Sequence, residues 1–173
     1  GDDRPSAAHG SDSLHGGAGD DELVGHGGND ALQGDDGNDD LFGGSGRDRL
    51  AGGYGADRLQ GGDDADQLDA GVGADTLYGE AGDDTLAGGA GDDALLGSNG
   101  QDLLSGDRGR DLLDGGGGNG CACDHHPAAD YTDRPAIAAP AAQAALIRLC
   151  RPATGNAGRL SRSGSGTHFA PVM

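Results

Sequence analysis

Aspartate recurs every nine residues through most of this 173-residue chain, at Asp12, Asp21, Asp30, Asp39, Asp48, Asp57, Asp66, Asp75, Asp84, Asp93, Asp102 and Asp111. Each stands in a glycine-rich stretch, where backbone carbonyls lie open for want of side chains. Carboxylate and carbonyl oxygens together form the donor set of a hard cation. Calcium takes six to eight such oxygens in flexible geometry, whereas magnesium resists losing water and prefers a rigid octahedron. Aspartates that merely solvated turns would have no need to fall at one phase of every turn. The spacing points to a stacked series of calcium sites.

The elements that must position these groups repeat with the same period. Leucine follows each aspartate by two residues, from Leu14 to Leu113, and the unit reads Gly-Gly-x-Gly-x-Asp-x-Leu-x. Gly16–Val24, Gly43–Ala51, Gly52–Gln60 and Gly88–Leu96 show it best. The fourth position is glycine from Gly10 to Gly109 except at Asp64, and the first is glycine from Gly16 to Gly106 except at Ala70. The second is looser, holding Ala8, His26, Asp35, Glu80, Ser98 and Asp107. A strict period of this length marks units that stack on one another and cannot fold alone. The x-Leu-x triplet predicts a three-residue strand with leucine inward, and the other six residues a turn. Two units then return the chain to the same side. Twelve units make about six coils at roughly 4.8 Å spacing, a stack about 29 Å tall.

In such a coil the aspartates fall into two columns. One holds Asp12, Asp30, Asp48, Asp66, Asp84 and Asp102; the other holds Asp21, Asp39, Asp57, Asp75, Asp93 and Asp111. Like charges at strand spacing repel. One ion in each gap would bridge two carboxylates, which predicts about ten calcium ions. Metal binding is then coupled to folding, and the chain without calcium is expected to be expanded and disordered.

These motifs resemble the haemolysin-type, or RTX, calcium-binding nonapeptide repeat, whose tandem units form a right-handed parallel β-roll. The resemblance covers residues 1–120 and implies an all-β solenoid. It also implies that one turn offers the carbonyls of its second and fourth positions, and the next turn those of its first and third. Carried onto this chain, the second-position donors are Gly17, Gly44, Gly53, Gly62, Gly71 and Gly89. The fourth-position donors are Gly19, Gly28, Gly37, Gly46, Gly55, Gly73, Gly82, Gly91, Gly100 and Gly109.

Composition changes near residue 120. Residues 1–120 hold 27 of the 30 acidic residues and 34 of the 38 glycines, while residues 121–173 hold all three cysteines. A net charge of −19 excludes a nucleic-acid binder, which needs clustered cations on phosphate. No apolar run approaches the roughly 20 residues of a transmembrane span, and no N-terminal signal peptide is visible.

The 121–173 tail, rich in Ala, Arg and Pro, is expected to be poorly structured or partly helical. Its helix candidate is 141–151, stopped by Pro152. The repeat dies where Gly120 replaces the aspartate and Ala122 takes the leucine phase. A shifted reading frame and a genuine C-terminal extension both fit that break. Cys121, Cys123, His125 and His126 lack the usual zinc spacing. His9, His15 and His26 fall at three different phases, which argues against a histidine site. Asp20, Asp83 and Asp92, next to the ligand aspartates, read as solvated surface. Leu96, Leu103 and Leu112 read as cap packing against the tail, with a partner-docking face as the alternative. At the other end Gly1–Asp3 keeps the register before Pro5 takes the leucine phase. Either a capping repeat or a cut from a longer array fits; we favour the cut, with an upstream domain beyond it.

The leading functional reading is a calcium-dependent folding module of a secreted, extracellular bacterial protein. The family resemblance implies export through type I secretion machinery, for which an uncleaved C-terminal signal could lie in the tail. Two other readings compete. The roll could be the C-terminal module of a secreted metalloprotease, lipase or polysaccharide epimerase whose catalytic domain lies elsewhere. Neither HExxH nor GxSxG occurs in this chain, so the chain itself reads as no enzyme. The roll could also be a calcium-stiffened spacer of an adhesin.

Overall fold

The structure, a computed structural model, describes residues 1–117, 121–123 and 151–152; for the last two segments only the backbone is described. The sequence repeat becomes a solenoid of two parallel sheets facing each other. Odd-numbered strands build one sheet: β1 (Ser13–Ala18), β3 (Ala31–Asp36), β5 (Arg49–Tyr54), β7 (Gln67–Val72), β9 (Thr85–Ala90) and β11 (Leu103–Arg108). Even-numbered strands build the other: β2 (Glu22–Gly27), β4 (Asp40–Ser45), β6 (Arg58–Asp63), β8 (Thr76–Ala81), β10 (Ala94–Asn99) and β12 (Leu112–Asp114). Every neighbouring pair among these twelve is parallel and offset by 18 residues, as in Leu23↔Leu41 and Leu50↔Leu68. Two nonapeptides therefore make one coil, and about six coils stack.

The strands are longer than the triplet predicted. Each full strand runs six residues and takes in the first three positions of the next unit, leaving a three-residue Gly-x-Asp turn. The reason lies in the register. Glycine in isolation signals a break, but here every coil repeats its neighbour's backbone, so the strand N–H and C=O groups on either side of the glycine find partners in the next coil. The pairing skips the first position, as at Gly25 and Gly43 between β2 and β4, and resumes at the second. Each strand is thus two short runs hinged at that glycine.

The core is a single seam of leucines. Leu23, Leu32, Leu41, Leu50, Leu59, Leu68, Leu77, Leu86, Leu95 and Leu104 are all buried, joined by Ala70, with Leu14 and Leu113 partly buried at the two ends. The outward positions carry mixed chemistry. On the even sheet the Arg58 guanidinium lies between the Phe42 and Tyr78 rings, 5.6 and 5.5 Å from their centroids.

The ends depart from the pattern in different ways. Residues 1–10 add a partial rung to the even sheet through bridges at Ser6↔Val24 and His9↔Gly27. Pro5, at the leucine phase, has no N–H to donate, but its carbonyl accepts the Val24 N–H at 3.1 Å. At the other end the backbone keeps its register past the loss of aspartate. β13 (Cys121–Cys123) pairs in parallel with β11, placing Ala122 beside Leu104, and β14 (Arg151–Pro152) pairs antiparallel with β13. The helix candidate at 141–151 lies outside the described residues except for Arg151, which is in β14 rather than a helix. His125 and His126 also lie outside them. Leu103 and Leu112 are exposed, at 49% and 67%.

Candidate metal centre

Each turn is Gly-x-Asp, and its geometry follows from what the ladder leaves unpaired. The N–H of position four donates to the carbonyl of position three in the next coil, as Gly28 does to Ser45 at 2.8 Å. The N–H of position seven donates to the aspartate carbonyl of the preceding coil, as Arg49 does to Asp30 at 2.8 Å. Between them, the aspartate N–H has no backbone partner. The aspartate side chain of the next coil supplies one.

The result is a continuous spine on each side. In the first column the N–H groups of Asp12, Asp30, Asp48 and Asp66 each donate to Oδ1 of the aspartate 18 residues later at 2.8 Å. Asp84 does so to Asp102 at 3.1 Å. In the second column Asp21 donates to Asp39, Asp39 to Asp57, Asp57 to Asp75, Asp75 to Asp93 and Asp93 to Asp111, all between 2.8 and 3.0 Å. Asp3 joins that column by donating to Asp21 at 2.5 Å.

One carboxylate oxygen is thereby spent on the backbone. The other is not. Oδ2 of Asp21, Asp30, Asp39, Asp48, Asp57, Asp66, Asp75, Asp84, Asp93 and Asp102 is buried and has no hydrogen-bond partner. A buried, unpaired carboxylate oxygen is costly, and native structures hold few of them. Ten at one phase of one repeat call for a common ligand.

The surroundings of that oxygen fit a cation. It faces the α-carbon of the glycine that opens the unit. A Cβ added to Gly43 would fall inside 3.0 Å of Asp48 Oδ2 and 2.7 Å from the Gly61 carbonyl of the next coil. Carbonyls of the second and fourth positions point along the stack as well. A Cβ on Gly44 would collide with the His26 carbonyl, and one on Gly28 with that of Gly10. Each gap between coils thus brings carboxylate and carbonyl oxygens close together, with no side chain at the first position to part them. No group of three or more His, Cys, Asp or Glu side chains forms a metal cluster among the described residues. A cation here must draw part of its shell from the backbone.

Electrostatics agree with the geometry. Burial, ahead of repulsion from neighbouring carboxylates, pushes the pKa values of Asp57, Asp75 and Asp84 up to about 6 and that of Asp66 up to about 7. Asp39, Asp48, Asp93 and Asp102 are raised for the same first reason. A cation in the gaps would oppose both effects.

Two features of the turns went unread in the sequence. Asp20, Asp83 and Asp92 are exposed, as expected, and they also bond along the stack. Their Oδ1 atoms accept the N–H of the residue 18 positions on, at Asn38, Gln101 and Arg110, at 2.8, 2.8 and 2.9 Å. Asn29 and Asn38 do the same for Arg47 and Ala56 at 2.9 and 2.8 Å. The recurrence of Asp and Asn at the fifth position was the available signal. The second position, in turn, holds a positive φ from Gly17 to Asp107 whatever its residue. His26, Asp35, Glu80 and Asp107 hold φ of 70, 78, 76 and 65°. Each is held by a polar side chain at the ninth position of a unit: Ser6 to His26 at 3.1 Å, Gln60 to Glu80 at 2.7 Å, Ser105 to Asp107 at 2.9 Å, and Gln33 to Asp35.

Comparison with known proteins gives one family. The model described as the RTX calcium-binding nonapeptide repeat (4 copies) matches residues 10–41, 42–77, 60–95, 69–104 and 88–120. No curated protein matches the chain.

Proposed function

The chain belongs to the RTX calcium-binding nonapeptide repeat family, and we propose that its aspartate columns hold about ten calcium ions whose binding drives the roll to fold. The chain is a calcium-binding folding module. The ligands are the repeat aspartates from Asp12 to Asp111, with carbonyls of the glycine-rich positions. Among these are Gly17, Gly44, Gly53, Gly62, Gly71 and Gly89 at the second position, and Gly19 to Gly109 at the fourth. The observation that carries this reading is the row of ten buried aspartate Oδ2 atoms without a partner.

Calcium supplies positive charge that the chain lacks. It would neutralise adjacent carboxylates, and the residues do the rest. Oδ1 fixes the aspartate through the backbone of the neighbouring coil. The glycine at the first position keeps the space beside Oδ2 open, and the leucine seam holds the two sheets at one separation. The seam alone is thin, so we infer that the roll in residues 1–120 does not persist without the ions, and that residues 121–173 are a tail that adds no aspartate to the columns.

Family members are typically extracellular. Extracellular calcium sites bind in the range of about 0.1–1 mM, far above cytosolic calcium. We propose that this chain stays unfolded inside the cell and folds on reaching extracellular calcium, which suits passage through type I secretion machinery as part of a longer protein. No helix among the described residues is long and apolar enough to cross a membrane.

Far-ultraviolet circular dichroism across a calcium titration tests the coupling. A coil spectrum in chelator that turns to β with calcium, and not with equal magnesium, supports it. A full β spectrum in excess chelator contradicts it.

A further inference from the structure

Between Gly16 and Gly106 one unit does not open with glycine: Ala70 stands there, fully buried at 0% exposure. At Gly43, Gly52, Gly61, Gly79 and Gly88, a Cβ would fall inside 3.0 Å of the unit's own aspartate Oδ2. Ala70 carries that Cβ, so Oδ2 of Asp75 has to stand elsewhere. The backbone bond survives, with the Asp57 N–H donating to Asp75 Oδ1 at 2.8 Å, and Oδ2 is still buried without a partner.

Calcium's oxygen donors lie about 2.3–2.6 Å from the ion. A methyl group against one carboxylate is large on that scale. We propose that Ala70 makes the two calcium gaps that share Asp75 the weakest in their column and the last to fill, a joint in the middle of the stack. This rests on the calcium reading above. Each coil contacts only its neighbours, so the coils on either side of the joint fill and order first and couple across it afterwards.

Ala70→Gly in the full chain tests the joint, with calcium binding counted by native mass spectrometry and folding followed by circular dichroism. Replacing a buried alanine in a strand by glycine ordinarily weakens it, so a gain cannot come from the backbone. The expected result is that the weakest binding step tightens about tenfold, the folding midpoint moves to lower calcium, and the number of ions at saturation is unchanged. Gly52→Ala, which sets the same methyl against Asp57, should shift the midpoint the opposite way. An Ala70→Gly chain that binds as the wild type does, or more weakly, overturns the proposal. A wild-type chain that neither binds calcium nor folds with it removes the calcium reading itself; a wild type that does both beside an unimproved Ala70→Gly removes only the role of Ala70.

Discussion

At the scale of the residue, the two oxygens of each repeat aspartate have different tasks, and substitution can separate them. Asn in place of Asp48 keeps an acceptor for the Asp30 N–H, which now stands 2.8 Å from Oδ1, but removes the charge. Asp48→Asn should therefore raise the calcium midpoint by weakening the two gaps that share this residue, about tenfold or more. Asp48→Ala should raise it further, because the buried N–H of Asp30 also loses its partner. Equal effects of the two would show that the spine bond contributes nothing. Protonation offers a second handle. An acid whose folded pKa is raised holds its proton more readily folded than unfolded. The metal-free roll therefore gains stability as pH falls through the 6 to 7 range of Asp57, Asp66, Asp75 and Asp84 toward the ordinary value of 3.8, and loses it as pH rises through the same range. Protons and calcium compete for the same oxygens. Because the metal-free chain is unfolded, its aspartates titrate near the ordinary carboxylate value, so apparent calcium affinity should change little between pH 7.5 and 5.5 and fall about tenfold or more near pH 4; an affinity that does not fall there would mean that these carboxylates are not the ligands.

At the scale of the element, the seam and the outer faces should respond unequally. Leu59 is fully buried with leucines above and below it in the stack, so Leu59→Ala should cost about 2–5 kcal/mol in the calcium-loaded roll. Phe42→Ala removes one ring from the outward Arg58 stack and should cost about 0.5–1 kcal/mol. Chemical denaturation in saturating calcium separates the two, and a larger loss at Phe42 would place the core on the wrong face. Much of this layer was legible in the sequence. The leucine period announced the inward face, and the 18-residue coil followed from pairing the units. Strand length was not legible, because glycine reads as turn in isolation and becomes strand only when an identical neighbour pairs with it. The conflict at Ala70 was not legible either. It depends on where Asp75 Oδ2 points, which only the stacked backbone decides. The spine of aspartate side chains on aspartate N–H groups was hidden for the same reason, although the recurring Asp and Asn at the fifth position left a trace of its companion.

At the scale of the whole molecule, the chain is a stack whose sheets are held by local pairing and whose charge opposes closure. A net charge of −19 is tolerable in an extended chain and costly in a compact one. Calcium removes that opposition gap by gap. A chain ending at residue 120 should therefore keep the calcium-induced β transition with a midpoint within about twofold of the full chain, since the aspartate columns end at Asp111; loss of the transition would place part of the folding nucleus in the tail. The most direct test of the account is the anomalous scattering of calcium in crystals of the loaded protein. The account predicts two straight rows of peaks, each peak between successive aspartates such as Asp48 and Asp66 or Asp57 and Asp75. An ordered roll with no peaks along those columns, or with ions only on exposed carboxylates such as Asp63 and Asp92, would contradict it.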